Sequence, residues 1–421
     1  MQHKISYSLY LSLPNSLMKN KTKFQTRAVH AGEALDPVTG ASSPNIVMST
    51  TFAVDADAGF SLEAANDTEN SAPRYTYTRW GNPTLNQLEK KLSSLEEAAD
   101  CVVFASGMAA ISALFFSLFK MGDHLVMSDI VYAGASELAN DTLANLGIEV
   151  TRVNMSDLDE VAAAMTSKTK LVYAESPCNP IMRLTNLAAV AEIAHSHGAK
   201  LAVDSTFATP MATMPITLGA DYVIHSLTKY FGGHGDAIGG AVLGNDAAEM
   251  GKLRQGMLGH GGGVLSPFNA WLIMRGMATL PLRMAAHEKA ALAVAEFLEN
   301  HPKIERVVYP GLASHPQSDL AQEQMHNMSG MLTFQTKDGP AAARVFAKTL
   351  EIFHYAVSLG HHRSLLFYMP TDSLLETSFK LTPKQEEDYR RYMGDGAFRV
   401  SVGIEDGEDL CDDLARVLEK I

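Results

Sequence analysis

Residues 200–240 read KLAVDSTFATPMATMPITLGADYVIHSLTKYFGGHGDAIGG, and this stretch decides the fold. It contains two short apolar runs, KLAVD and DYVIHS, and each run leads directly into polar side chains. The first run ends on Asp204, and the second leads to Lys229. Nearly continuous apolar runs of this length are typical of strands in a parallel sheet that is covered on both faces.

The same pattern continues on both sides of this stretch. The sequence predicts strands at 101–104, 124–127, 170–175, 200–204, 221–226 and 241–244. The segments between them predict helices at 107–120, 134–146 and 187–198. Strands that alternate with helices indicate an α/β fold with a mainly parallel central sheet. In such sheets ligands bind beyond the carboxyl ends of the strands, so catalytic residues are expected there.

The domain organisation follows from this pattern. We expect residues 81–280 to form a large domain. A long apolar helix at 265–282 is expected to lead out of it. Residues 281–421 mix helices with short strands and predict a smaller α/β domain. Residues 1–80 lack strong periodicity and predict an extended arm that contacts a neighbouring subunit.

Composition excludes several classes of protein. The chain has 421 residues, 46% hydrophobic and 19% charged, which excludes a disordered chain or a coiled coil. Its formal net charge of −13 disfavours nucleic acid and anionic membranes as partners. No apolar run has the length of about 20 residues that a membrane helix needs. The three cysteines form no spaced framework, and residues 1–20 lack the cleavage site of an export signal, so a cytoplasmic protein is expected.

Lys229 and Asp204 have the character of catalytic groups. A lysine at a buried strand end loses hydration, which lowers its pKa and makes the neutral amine available for Schiff-base chemistry. The alternative is a lysine that extends to the surface. A carboxylate at the position of Asp204 needs a cation or several donors, and the protonated ring nitrogen of pyridoxal phosphate is such a cation. Capping of the following segment is the alternative for Asp204.

A phosphate group also has candidate ligands. Ser106, Gly107 and Met108 follow the strand at 101–104, and a glycine at a helix start lets an anion approach the backbone N–H groups. Ser226 and Thr228 add hydroxyl groups two residues apart. Each signal alone is weak, because an ordinary helix cap also fits SGM. Together with the lysine and the carboxylate on successive strand ends they indicate pyridoxal phosphate.

Competing motifs fail. Gly233-His234-Gly235 lacks the third glycine of a dinucleotide-binding loop, and no metal site is expected, because His195 and His197 diverge on a helix. Cys178 has no signature of a nucleophile. Residues 361–363, His-His-Arg, form a basic cluster that fits either an anion site or a solvated loop.

At this point the sequence resembles the Cys/Met-metabolism family of pyridoxal-phosphate enzymes, which includes cystathionine γ-synthase, cystathionine lyases, methionine γ-lyase and O-acyl-homoserine sulfhydrylases. The similar segments are 75–84 (YTYTRWGNPT), 105–109 (ASGMA), 175–180 (ESPCNP), 203–210 (VDSTFATP), 226–236 (SLTKYFGGHGD), 265–269 (LSPFN) and 399–405 (RVSVGIE). The resemblance runs from about residue 26 to the C-terminus.

The resemblance implies a fold-type-I, aminotransferase-like enzyme that forms a homotetramer from two catalytic dimers. It implies that Lys229 binds the cofactor covalently and moves protons, and that Asp204 pairs with the ring nitrogen. It also implies that Tyr132 is a catalytic residue, which stacks on the ring and helps to deprotonate the incoming amine. The implied phosphate ligands are Gly107, Met108, Ser226 and Thr228, with Tyr77 and Arg79 from the neighbouring subunit. The implied ligands of an amino-acid substrate are Arg399, Asn179, Ser358 and Tyr77.

The chain departs from the family pattern at residues 361–363. Lyases and synthases of the family commonly carry a Gly-Gly pair followed by Glu, Ala or Tyr there, whereas this chain carries His-His-Arg. We interpret this cluster as positive charge near the distal end of the substrate. The first hypothesis is therefore a lyase that cleaves the C–S bond of cystathionine or a related amino acid. The alternative is γ-replacement on O-succinyl- or O-acetyl-homoserine, as in a synthase or sulfhydrylase.

Overall fold

The structure is a computed structural model and describes residues 22–36, 38–54 and 75–421. The predicted extension at the start of the chain, up to residue 21, lies outside the described residues. So does the part of the predicted arm between 55 and 74.

The first sheet has seven strands in the order β1-β7-β6-β5-β4-β2-β3. Its strands are β1 Asp100–Phe104, β2 His124–Ser128, β3 Glu149–Val153, β4 Thr169–Glu175, β5 Lys200–Asp204, β6 Tyr222–Ser226 and β7 Gly240–Gly244. The pairs from β3 through β2, β4 and β5 to β6 are parallel. This confirms the mainly parallel sheet, with β7 antiparallel to both of its neighbours as the exception.

The apolar runs are continuous because both faces of this sheet are buried. In β5, Leu201 and Val203 pack into one hydrophobic cluster, whereas Ala202 between them packs into another on the opposite face. Side chains alternate between the faces of a strand, so a strand covered on both sides has no polar position in its interior.

Helices cover the sheet and connect its strands. They are Phe24–His30, Pro83–Glu96, Gly107–Leu118, Ala133–Glu137, Leu158–Ala164, Leu187–Ser196, Thr209–Ala212, Ala247–Leu253, Pro267–Met277, Leu280–Glu299, Ser318–Gln324, Gly339–Thr349, Thr371–Thr377, Pro383–Met393 and Gly407–Leu418, with π-helical turns at Leu138–Leu143 and Arg254–His260 and a 3₁₀ turn at Pro215–Leu218. The helix expected at 265–282 is instead two helices. The second starts after Thr279 and has Pro281 in its first turn, where a proline is tolerated.

A second, mostly antiparallel sheet lies within residues 281–421. Its strands are β8 Ile304–Val308, β9 Met331–Thr336, β10 His354–Tyr355, β11 Leu365–Pro370 and β12 Gly396–Ser401, in the order β10-β11-β12-β9-β8. Phe334 and Phe398 stack in its core with ring centroids 4.9 Å apart. All five strands fall in the range predicted for a smaller domain, although the domain boundaries themselves stay a prediction.

In the described part of the chain, none of the helices has the length and apolar character that crossing a membrane requires. The same residues contain no cluster of His, Cys, Asp and Glu side chains that could hold a metal ion.

Candidate active site

A cavity of about 450 Å³ opens where β4, β5 and β6 end. Most of the residues that the sequence predicts as functional line this cavity. They come from both halves of the chain. The predicted residues that line it are Gly107, Met108, Tyr132, Asn179, Asp204, Ser226, Thr228, Lys229, Ser358 and Arg399. The carboxyl ends of the parallel strands therefore form the site, as the strand pattern predicts.

Lys229 follows β6 in the glycine-rich connection to β7. Its Nζ donates a hydrogen bond to Ser358 Oγ at 3.0 Å. Burial and the nearby Arg399 guanidinium lower the pKa of Lys229 to about 8. A substantial fraction of the amine is therefore neutral near physiological pH, which a nucleophile or base requires.

Asp204 ends β5 and is 7% exposed. Its Oδ1 accepts the Thr206 N–H at 3.0 Å, and its Oδ2 lies 3.4 Å from the Tyr173 hydroxyl. Burial raises the pKa of Asp204 despite these donors. Among the described residues the carboxylate has no ion-pair partner, so a cation that enters the cavity would meet an uncompensated negative charge.

The start of the helix Gly107–Leu118 lets a ligand come close to its backbone N–H groups. Ser106 caps the helix by accepting the Ala109 N–H at 3.1 Å, so the amides of Gly107 and Met108 have no partner within the helix. A Cβ at position 107 would lie 2.9 Å from Ser226 Cβ, which explains the glycine there. Backbone N–H groups at a helix start favour an anion, and the Ser226 hydroxyl lies beside them.

Thr228 lies in the same wall, but its hydroxyl is already bonded. Its Oγ1 pairs with both the carbonyl and the N–H of Gly239, each at 3.2 Å. This contact fixes the loop after Lys229 against the start of β7.

Arg399, on β12, brings the second sheet into the site. Its Nη1 donates to Asn179 Oδ1 and its Nη2 to the Ser358 carbonyl oxygen, both at 3.1 Å. Burial lowers the pKa of Arg399 to about 10, so the guanidinium stays charged at neutral pH. A buried fixed cation of this kind is suited to a carboxylate ligand.

Glu175 is the site residue that sequence reasoning missed. It ends β4 directly opposite Asp204 on β5. Its Oε2 accepts the Tyr132 N–H at 2.5 Å, and its Oε1 accepts the Asn179 N–H at 2.9 Å. Burial and the charge of Asp204 raise the pKa of Glu175. The sequence signal that could have identified Glu175 is a second carboxylate at the end of an apolar run. In the structure this carboxylate holds Tyr132 and Asn179 in place.

Tyr77 and Arg79 do not line the cavity of their own chain. Tyr77 is 42% exposed, and the Arg79 guanidinium lies 5.5 Å from its ring centroid. Arg79 also donates to the Gly259 carbonyl oxygen. Their expected role toward a neighbouring subunit stays a prediction.

The basic cluster at residues 361–363 also differs from the expectation. None of its side chains is among the residues that line the cavity. His361 lies behind Ser358, His362 packs against the ring of His234 at 5.5 Å, and Arg363 is exposed. The expected positive wall at the distal end of the cavity is absent from the described residues.

Comparisons with known proteins agree on one family. The model for "Cys/Met metabolism PLP-dependent enzyme" matches residues 25–419. The chain is 39% identical over 396 residues to a cystathionine gamma-synthase from Mycobacterium tuberculosis, which covers 93% of this chain and 96% of that protein. It is 41% identical over 404 residues to an L-methionine gamma-lyase from Fusobacterium nucleatum, covering 94% and 98%. It is 38% identical over 401 residues to a cystathionine gamma-lyase from Dictyostelium discoideum, covering 95% and 99%.

A solved structure has the same fold. The crystal structure of MetB from Corynebacterium glutamicum superposes with a TM-score of 0.85 at 37% identity, covering 96% of this chain and 99% of that one. This similarity over nearly the whole of both chains confirms the expected fold class.

The cavity fits the cofactor that the family implies. The unpaired Asp204 carboxylate suits a protonated ring nitrogen, and the uncapped amides beside Ser226 suit a phosphate. Lys229, with a lowered pKa, suits an aldehyde. The chain belongs to the Cys/Met-metabolism family of pyridoxal-phosphate-dependent enzymes.

Proposed function

We propose that the protein is a carbon–sulfur lyase that converts a sulfur-containing L-amino acid and one water molecule to a keto acid, ammonia and a thiol. One observation carries the assignment of the reacting groups, which elimination shares with replacement. Ser358 bridges the two charged groups of the cavity, because its Oγ accepts from Lys229 and its carbonyl accepts from Arg399. A substrate whose α-carboxylate binds Arg399 therefore has its α carbon close to the Lys229 amine.

Proton movement follows from this placement. When bound, pyridoxal phosphate supplies an electron sink that stabilises a carbanion at the α carbon. Asp204 would hold a positive charge at the ring nitrogen of the bound cofactor, and Glu175 holds Tyr132 beside the cavity. Lys229 Nζ removes the α proton. When the leaving group is on the γ carbon, Nζ would first pass that proton to the bound cofactor and then, as a neutral amine again, take a proton from the β carbon, with Tyr132 as the acid for the departing sulfur.

The cavity wall favours substrates with an uncharged side chain. Apart from Lys229 and Arg399, no cationic side chain of the described residues lines it. Much of the remaining surface is apolar, and the apolar residues are Met108, Ile111, Phe207, Val357, Leu359, Phe367 and Met369. A methionine-like thioether fits such a surface better than cystathionine, whose distal carboxylate would have no cationic partner among the described cavity residues of the same chain. The similarity to L-methionine gamma-lyases supports this proposal.

A comparison of two substrates tests this preference. We expect kcat/KM for L-methionine to exceed that for L-cystathionine by about tenfold or more, because a desolvated charge without a partner costs more than 1.4 kcal/mol. Keto-acid formation measures both rates. A clear preference for cystathionine would contradict the proposed side-chain specificity and restore the interpretation of residues 361–363 as a cationic wall.

Arg399→Ala tests the carboxylate site. We expect a loss in substrate affinity worth about 2–4 kcal/mol, since the substrate carboxylate would be buried without its partner. Steady-state kinetics of the variant measure it. Arg363→Ala, at an exposed arginine outside the cavity, is the matched control and should behave as the parent. Equal affinity in the parent and the Arg399→Ala variant would move the carboxylate site elsewhere.

γ-Replacement on O-succinyl- or O-acetyl-homoserine is the second candidate. The similarity to a cystathionine gamma-synthase and to MetB favours it, and Lys229 and Arg399 would serve that reaction equally. The two reactions differ in their need for a thiol. Elimination proceeds without one, whereas replacement requires a thiol that attacks in place of the leaving group.

We also propose a homotetramer in the cytoplasm, built from dimers that share their active sites. The exposed Tyr77, which lies outside the cavity of its own chain, supports a role at a neighbouring site. The net charge of −13 supports a small-molecule enzyme rather than a partner of nucleic acid or anionic membranes.

A further inference from the structure

His361 lies directly behind the serine that contacts the active-site lysine. Its Nε2 is 3.3 Å from Ser358 Oγ, and that oxygen in turn accepts from Lys229 Nζ at 3.0 Å. Gly235 makes room for the imidazole ring, because a Cβ at that position would lie 2.7 Å from His361 Cε1. The three side chains therefore form a continuous hydrogen-bonded row from the cavity into the protein.

The backbone fixes this row in position. Ser358 has a φ of 88°, which is strained for a residue with a side chain. Gly360 donates its N–H to Ser401 Oγ at 2.8 Å, and a Cβ on it would lie 3.0 Å from the Lys229 carbonyl carbon. His362 donates its N–H to the Gly233 carbonyl oxygen at 2.8 Å. The loop therefore packs against the backbone of Lys229 itself.

The direction of the hydrogen bond from Lys229 to Ser358 indicates a role for His361 as an acceptor. Because Lys229 Nζ donates to Ser358 Oγ, the hydroxyl proton of Ser358 is left to donate to an acceptor, and His361 Nε2 is the acceptor in reach. We infer that His361 is a positioning residue. It accepts a hydrogen bond from the Ser358 hydroxyl and so keeps a lone pair of the Ser358 oxygen directed at the Lys229 amine. The inference rests on the role proposed for Lys229 and deepens it.

The charges around the ring are consistent with a neutral histidine. His361 faces Lys229, His362 and Asp236. Burial, Lys229 and His362 lower the pKa of His361 from its usual 6.5, and Asp236 opposes them. A neutral His361 can accept a hydrogen bond from the Ser358 hydroxyl at physiological pH. As the pH falls through its pKa, the imidazolium must donate to Ser358 Oγ instead, and the serine hydroxyl loses its acceptor.

Three variants of the holoenzyme test the inference. His361→Phe removes the acceptor, and we expect kcat to fall by about tenfold with KM nearly unchanged, the effect of one lost hydrogen bond. His361→Gln keeps an acceptor that does not titrate, so it should restore most of kcat and abolish the decline of kcat on the acidic side of the pH profile. His326→Gln changes an exposed histidine outside this hydrogen-bonded row and should match the parent.

A spectroscopic titration separates this inference from the proposed function. The pH midpoint of the visible absorbance of the lysine-bound cofactor should shift in His361→Phe and stay unchanged in His326→Gln. In a Ser358→Ala background, His361→Phe should have no further effect, because His361 acts through the serine. A normal midpoint in His361→Phe, or a full additional effect in the Ser358→Ala background, would overturn the inference. Absence of the absorbance in the parent protein would instead contradict the role of Lys229.

Discussion

Lys229→Ala is expected to abolish keto-acid formation, with a loss of about 10⁴-fold or more, because the variant lacks both the amine that binds the cofactor and the base that moves protons. The fold should persist. The Lys229 side chain makes one hydrogen bond, to Ser358, and its lowered pKa shows that burial of its charge is unfavourable. Removing it therefore should not reduce the free energy of unfolding.

Covalent attachment gives the decisive readout for this variant. After reduction with borohydride, the parent protein should gain the mass of one phosphopyridoxyl group per chain, which is pyridoxal phosphate less one water plus two hydrogens, and Lys229→Ala should gain none. Lys252→Ala is a suitable control, because Lys252 is exposed on the helix Ala247–Leu253. Attachment of the cofactor to Lys229→Ala would mean that another lysine performs this role.

Asp204→Asn is expected to have the second-largest effect. It removes the negative charge that holds the ring nitrogen protonated but keeps the shape of the side chain and an oxygen for the Thr206 N–H. We expect a loss in kcat of about 10²–10⁴-fold, the range for loss of one electrostatic group that stabilises a developing charge. Activity close to the parent would contradict the assigned cofactor orientation. Asp412→Asn, at an exposed position, is the control.

The difference in stability between the parent and this variant depends on pH, because Asp204 titrates and asparagine does not. Burial raises the pKa of Asp204 in the folded protein, so its charge destabilises the cofactor-free enzyme once the pH exceeds the unfolded value near 3.8. Cofactor-free Asp204→Asn should therefore unfold at an equal or higher temperature than the parent at pH 7–8. Thermal denaturation measures this, and a markedly lower temperature would show that the Asp204 carboxylate stabilises the folded protein, contrary to its raised pKa.

Much of the fold could be predicted because buried strands leave a clear signal. Each of the six predicted strands is present in the first sheet. Strand β3, Glu149–Val153, was not predicted, because this edge strand has exposed residues at alternate positions and lacks a continuous apolar run. The antiparallel direction of β7 also could not be predicted, since apolar periodicity is the same for both strand directions.

The site could be predicted to the extent that it lies at strand ends. Lys229 and Asp204 follow apolar runs, so their position was visible in the sequence. The role of Glu175 depends on backbone amides of Tyr132 and Asn179, which are brought to it only by the fold. His361 was expected in the cavity wall, but the sequence gives residue type without side-chain direction, and the ring instead lies beside Gly235.

Mass spectrometry of the products formed from L-methionine tests the central claim most directly. The purified holoenzyme is incubated with L-methionine and no added thiol. A carbon–sulfur lyase should release 2-oxobutanoate and methanethiol in equal amounts, and Lys229→Ala should release neither. If the parent enzyme forms no keto acid from L-methionine or L-cystathionine but transfers an added thiol to O-succinylhomoserine, the lyase proposal is contradicted and the protein is a γ-replacement enzyme.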